Sequence, residues 1–139
     1  MKRYLLDTSL IAAFLHGRQT ALTLIEPLVK ERYAATSILV YGEVIEYLKG
    51  LPTFPKYKAR LQELFTLNQI TPLPITYAIL ERYADIRRIL RPLHKEIGEI
   101  DTLIAATALE HDLTLLTIDT DYDRVPHLKH TLVNLKSEH

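Results

Sequence analysis

The 139-residue sequence contains no cysteine. That absence removes disulfides, thiolate zinc sites and cysteine nucleophiles at once, and it fits a reducing compartment. Glycine is scarce, with four residues, too few for flexible joints, and no repeat, low-complexity tract or linker breaks the chain. Neither sign of charge is in excess: 17 Lys and Arg balance 17 Asp and Glu. A nucleic-acid binder usually carries a basic surplus. The overall charge therefore argues against one, although a site built of carboxylates would hide basic residues in such a count. No apolar run approaches the ~20 residues that a bilayer span needs. The opening MKRYLLDTSL is too short for a signal-peptide core and is interrupted by Asp7. These features predict a soluble, cytoplasmic protein with a single domain over residues 1–139. Hydrophobic residues make up 47% and charged residues 24%, an ordinary globular balance able to bury a core without staples.

Short apolar runs alternate with longer amphipathic segments, the pattern of an α/β fold around a parallel sheet. Strands are expected at Arg3–Leu6, Tyr33–Thr36, Leu113–Thr117 and Thr131–Leu135. The run Ile70–Ile75 holds two prolines, so a strand there is short and lies at a sheet edge. Helices are expected from about Leu10, over Thr20–Glu31, from the N-cap Ser37 to Lys49 with Gly50 as stop, over Lys56–Leu67, from Thr76 to about Leu90 with Pro92 ending it, and over Asp101–His111 after Gly98.

Four acids stand out. Asp7 directly follows the first strand and Asp119 follows the strand ending at Thr117. Ligands of open α/β sheets bind beyond the carboxyl ends of the strands, where strand order reverses; if these two strands are neighbours, both acids lie on that rim. Each alone fits equally a capping or turn aspartate. Glu43 has Leu39, Val40 and Tyr47 three and four positions away, a largely apolar face on which a carboxylate needs compensation. A buried structural ion pair is the other reading, while Glu46 reads as solvated. Asp101 opens its helix as an N-cap would, yet Ala105 and Ala108 let that helix lie close to the sheet and bring Asp101 to the same rim. Gathered carboxylates repel unless a cation joins them. Oxygen donors without cysteine favour a hard ion, Mg²⁺ or Mn²⁺, over zinc. The six histidines form no zinc pattern, and His127 and His130 read as solvated.

With LLDTS at Leu5–Ser9, ATSILVYGEVIEYLKG at Ala35–Gly50 and IGEIDTLIAATALEHDLTLLTIDTDYDRVPHL at Ile97–Leu128, the chain resembles the PIN-domain family, in particular the VapC toxin ribonucleases of toxin–antitoxin pairs. The resemblance covers almost the whole chain in the expected order. It implies a three-layer α/β/α fold with five parallel strands and helices on both faces. It places Asp7, Glu43, Asp101 and Asp119 on the family's acidic quartet. It also places Thr117 on the threonine before the last acid, Ser9 on a polar position that is often asparagine, and Asp121 on an additional acid. Tyr122 replaces a frequent phenylalanine.

The activity so implied is hydrolysis of an RNA phosphodiester, with Asp7, Asp101 and Asp119 holding Mg²⁺ or Mn²⁺ and Glu43 orienting water or acting as base. Ser9, Thr117 and Asp121 would support these from behind. Arg88, Arg91 and Lys95 share a face at helical spacing and lead into the loop before Asp101, as an RNA-gripping wall or as an ordinary solvated face. The expected partners are RNA, an antitoxin protein and a second copy of the chain. The last expectation draws on Tyr41, Val44, Ile45 and Leu48, which make one helix apolar over more than one face. Alternatives are a non-catalytic RNA- or protein-binding module and a stand-alone RNA-processing nuclease. A haloacid-dehalogenase-type phosphatase needs an acid where Ser9 stands, and a receiver domain needs one where the middle strand ends in Thr36.

Overall fold

A computed structural model describes residues 1–135. In chain order it has β1 (Tyr4–Leu6), α1 (Thr8–Leu15), α2 (Gln19–Lys30), β2 (Ala34–Ser37), α3 (Ile38–Lys49), α4 (Phe54–Thr66), β3 (Thr71–Leu73), α5 (Tyr77–Leu90), α6 (Glu99–Glu110), β4 (Thr114–Thr117) and β5 (His130–Leu132). Single 3-10 turns cover Arg91–Leu93 and Thr120–Arg124.

All five strands pair in parallel, in the order β3-β2-β1-β4-β5. The chain steps outward from β1 to β3 on one side and returns to β4 and β5 on the other. Right-handed crossovers then place the helices of the two directions on opposite faces. α1 to α4 pack among themselves on one side, and α5 packs against α6, which reaches β2 and β4. Strand order reverses between β1 and β4, so their carboxyl ends flank the crevice where such sheets bind ligands. The register sets Leu6 beside Leu116, one residue before Asp7 and one before Thr117.

Leu5, Leu6, Ala34, Ala35, Leu115 and Leu116 are buried, as continuous apolar runs in a parallel sheet should be. β3 carries Pro72 and sits at the edge, where a missing N–H costs no ladder bond. Ile104, Ala105, Ala106, Thr107 and Ala108 are all buried in α6, and the small side chains let its backbone approach β2 and β4.

Several boundaries differ from the expectation by a residue or two, and three of the differences matter here. α1 begins at Thr8, not near Leu10, because the Asp7 side chain accepts from the Leu10 N–H and caps the helix. α6 is capped by Gly98, so Asp101 lies within its first turn and is no N-cap. β5 covers His130–Leu132 and stops before Leu135, since its pairing with β4 runs only from Leu115 to Thr117. The apolar surplus expected on α3 is spent inside the subunit. Val44 and Leu48 are fully buried, and Tyr41 and Ile45 pack against the core, with Tyr41 5.5 Å from the Phe65 ring of α4. Among the described residues, no helix is long and apolar enough to cross a membrane.

Candidate active site

Asp7 stands at the junction of β1 and α1, buried to 5% exposure. Its Oδ1 accepts the Leu10 backbone N–H at 3.1 Å, and its Oδ2 accepts the Thr117 hydroxyl from the end of β4. Burial pushes its pKa up from 3.8 to about 6. The two hydrogen bonds oppose the rise, while the negative charges of Asp101 and Asp119 add to it. Thr117 works in both directions: the same hydroxyl oxygen accepts the Asp119 backbone N–H at 3.0 Å. One threonine thus ties the first acid to the last across the switch point.

Asp119 Oδ1 accepts the Asp121 N–H at 2.8 Å, a local side-chain turn that starts the 3-10 segment Thr120–Arg124. The Asp121 carboxylate lies 3.6 Å from Arg124. That segment plants Tyr122 in the core with 1% exposure, and its hydroxyl donates to Asp101 Oδ1 at 3.1 Å. Burial raises the Tyr122 pKa above its ordinary value, and the Asp101 charge raises it further. Asp101 is half-buried, and burial raises its pKa too. The Tyr122 hydrogen bond resists this, while Asp119, Glu43 and Asp121 reinforce it. Gly98 passes so close that a Cβ there would stand 3.7 Å from Asp101 Oδ2.

Glu43 occupies the second turn of α3 and is half-buried, less enclosed than its apolar neighbours suggest. Its Oε1 accepts the Thr8 hydroxyl at 2.5 Å. Glu46 is exposed. The structure therefore brings Asp7, Asp101 and Asp119 within electrostatic reach of one another, with Glu43 in reach of Asp101. The capping reading of Asp7 and Asp119 also holds, since both carboxylates bind nearby backbone N–H groups.

The donor set suits a hard divalent ion in type and charge. Among the described residues none of the four acids has an ion-pair partner. Glu43 Oε2, Asp101 Oδ2 and Asp119 Oδ2 each lack a hydrogen bond there, their twin oxygens being the ones held by protein. The bare Gly98 backbone leaves uncovered a space beside Asp101 Oδ2 that a Cβ would fill. The set is drawn up open: among the described residues no group of three or more His, Cys, Asp or Glu side chains stands close enough to hold an ion unaided.

The supporting residues divide. Thr117 and Asp121 lie in the acidic constellation. Ser9 is exposed and makes no side-chain hydrogen bond among the described residues; Thr8, one residue earlier, makes the contact instead. Thr8 has a sequence signal, a hydroxyl directly after the strand-ending aspartate. The Tyr122 hydroxyl has only the weaker signal of a polar tip added to a core aromatic.

The basic wall also needs correction. α5 ends at Leu90, Pro92 closes a 3-10 turn, and His94 takes a left-handed backbone with φ 54°, so Lys95 leaves the face that Arg88 and Arg91 occupy. Arg87, which stacks over the Tyr83 ring at 5.6 Å, joins Arg88 and Arg91 around a hollow of about 410 Å³. Arg82 is engaged elsewhere, 2.7 Å from Glu110. His130 is half-buried and 2.6 Å from Asp123, not solvated.

A five-stranded parallel sheet with acids at its switch point defines a class, and comparison with known proteins agrees. The model of the PIN domain family matches residues 4–128, and the chain belongs to that family. It is similar to FitAcB from Neisseria gonorrhoeae, with 27% identity over 95% of this chain and 97% of that one and a TM-score of 0.75. It shares its fold with VapBC2 from Rickettsia felis bound to a promoter DNA fragment, at 21% identity, 94% and 98% coverage and a TM-score of 0.81. DNA-bound VapBC from Salmonella typhimurium gives 16% identity, 94% and 98% coverage and 0.82. No curated protein matches the chain.

Proposed function

We propose that this protein is a metal-dependent endoribonuclease and the toxin of a toxin–antitoxin pair. The observation that carries the proposal is the convergence of four carboxylates beside the β1–β4 switch point with, among the described residues, no cation paired to them. An uncompensated cluster of this kind costs stability, and an ion recovers that cost.

Asp7, Asp101 and Asp119 would hold Mg²⁺ or Mn²⁺. When bound, the ion supplies charge stabilisation to the phosphate and makes water a competent nucleophile at neutral pH. The chain's own residues do the positioning. Thr117 locks Asp7 and the Asp119 backbone in one geometry, and the Asp121 N–H orients Asp119. Glu43, steadied by Thr8 through one oxygen, keeps the other to orient the attacking water or take its proton. Water, not the ribose 2′-hydroxyl, would attack phosphorus while the bond to the 3′-oxygen breaks, so the products carry 5′-phosphate and 3′-hydroxyl ends. Arg87, Arg88 and Arg91 grip the RNA backbone by charge, and Lys95 contributes from the following loop. Incubating the purified protein with a panel of RNAs, with Mg²⁺ or Mn²⁺ and then with EDTA, tests the reading. Cleavage should appear only with the ion, and cleavage of no RNA in the panel would favour a non-catalytic binding module.

The toxin reading is supported by the assemblies that the fold resembles, VapBC and FitAcB. A cognate partner would silence the site by placing an arginine or lysine against Asp7, Asp101 or Asp119, because a planar guanidinium binds carboxylates bidentately. A homodimer belongs to the proposal as well. Apolar surface open to a second copy remains on α3, where Ile38 is 44% and Tyr47 49% exposed, and on α5, where Tyr77 is 88% and Leu80 43% exposed. Expression should arrest growth and co-expression of the adjacent gene product should relieve it; arrest without relief counts against the antitoxin. A monomeric mass by light scattering at tens of micromolar, on the scale of ordinary association constants, counts against the dimer.

A further inference from the structure

Tyr122 lies where the ring alone would satisfy the core. It is 1% exposed and packs in the hydrophobic cluster. A phenolic hydroxyl at such a position must find a partner or pay for its burial. The partner it finds is neither a backbone carbonyl nor a structural side chain but Asp101 Oδ1, at 3.1 Å. The other side of the same carboxylate is bounded by Gly98, whose missing Cβ would have touched Oδ2 at 3.7 Å. One oxygen of Asp101 is therefore fixed from the core and its twin is left uncovered.

We propose that Tyr122 is a positioning residue: by donating to Asp101 Oδ1 it holds that carboxylate with Oδ2 presented over the bare Gly98 backbone for a divalent cation. This rests on the metal reading above. Without that bond no protein donor among the described residues holds the half-buried Asp101 carboxylate, and its side chain is free to choose among the staggered rotamers that the first turn of α6 allows. The link is also topological. Tyr122 belongs to the 3-10 turn that Asp119 starts, so the segment carrying one acid orients another on α6. A phenylalanine would keep the ring packing and lose only this coupling. Protein groups that orient metal ligands typically change metal affinity by about 10–100-fold when removed.

The test is isothermal titration of the purified full-length protein with Mn²⁺ alone, for the parent and for Tyr122→Phe, Asp101→Asn and the double variant, with circular dichroism and melting to show that each is folded. Tyr122→Phe should weaken Mn²⁺ binding about tenfold or more while the near-native melt shows the core intact. In the Asp101→Asn background, adding Tyr122→Phe should change Mn²⁺ affinity less than twofold, because the hydroxyl acts through that carboxylate. Parent-like affinity in folded Tyr122→Phe overturns the inference and leaves the metal reading standing. So does an equal loss in both backgrounds, which would mark a general packing effect. If Tyr122→Phe does not fold, Gly98→Ala gives the independent arm: its Cβ should obstruct Oδ2 and weaken Mn²⁺ at least severalfold, and unchanged affinity overturns the account of that space. A parent that binds no Mn²⁺ overturns the metal reading and this inference together.

Discussion

Away from the switch point several acids have a base beside them: Lys129 stands 2.6 Å from Asp112, Arg82 2.7 Å from Glu110 and His130 2.6 Å from Asp123. At the β1–β4 switch point the pattern inverts. Asp7, Asp101 and Asp119 influence one another's charge, Glu43 adds to that on Asp101 and, among the described residues, none of the four is paired with a cation. The outer pairs are mostly exposed and follow the ordinary logic of a soluble surface, each adding little. The rim acids are the more buried set and carry the less favourable electrostatics. Among the described residues the other acids without an ion-pair partner, Glu26, Glu31, Glu46, Glu81, Asp85 and Glu99, are all exposed, whereas these four are buried or half-buried, and the difference marks a place where stability is traded for an ion or substrate.

The largest effect that would sharpen this contrast is on catalysis. Asp7→Asn and Asp101→Asn should each lower RNA cleavage by well over ~100-fold, exceeding what loss of a supporting partner does. Asp112→Asn away from the switch point and Glu46→Gln on the exposed face of α3 should leave it unchanged. Initial rates on one RNA substrate decide; a dead Glu46→Gln beside an active Glu43→Gln would mean that the wrong face of α3 was assigned.

Next is binding. Replacing Arg87, Arg88 and Arg91 together with glutamine should weaken RNA affinity about tenfold or more and flatten its dependence on salt by up to three counterions. The same change at Arg82 alone, already held by Glu110, should do far less. Equal salt slopes for the triple variant and the parent would remove the arginine hollow from the RNA path.

A smaller effect concerns stability and pH. The Asp7 pKa rises on folding from 3.8 to about 6. The neutral carboxyl is thus the form that folding favours: its contribution is fully present below pH 3.8 and is lost as pH rises through about 6. At pH 8 the ionised group costs up to about 3 kcal/mol, since each unit is worth ~1.4 kcal/mol. Asp7→Asn keeps a cap for α1 and carries no charge. In EDTA it should therefore be more stable than the parent by about 1–3 kcal/mol at pH 8, with the advantage vanishing near pH 4. Urea melts at the two pH values measure this, and a variant less stable at pH 8 would contradict the repulsive picture. Smallest of all, Arg82→Ala should cost only about 0.2–1 kcal/mol, the usual worth of an exposed pair.

How much of this could be read from residues follows from range. The parallel α/β architecture was legible because Leu5–Leu6 and Leu115–Leu116 are continuous apolar runs between amphipathic helices, a local pattern that burial on both faces imposes. The placing of Asp7 and Asp119 was legible because one stands directly after β1 and the other two residues after β4, so topology alone delivers both to one rim. Three features escaped because they depend on contacts between distant segments. Thr8 rather than Ser9 faces the site because α1 starts at once and its first residue turns toward α3. The surplus apolar face of α3 is narrower than expected because α4 supplies Phe65 against Tyr41. Lys95 fell off the basic face because the chain reverses at His94, and a helical spacing count runs straight through such a turn.

Mn²⁺-dependent RNA cleavage, with the ends of the products identified, tests the central claim most directly. Cation-free protein is mixed with single-stranded RNA, Mn²⁺ is titrated in, and 5′ ends are scored for phosphate, with Asp101→Asn alongside. The account predicts cleavage that rises with Mn²⁺, 5′-phosphate products and no cleavage by the variant. Full cleavage in EDTA with metal shown to be absent, or undiminished cleavage by Asp101→Asn, would contradict it.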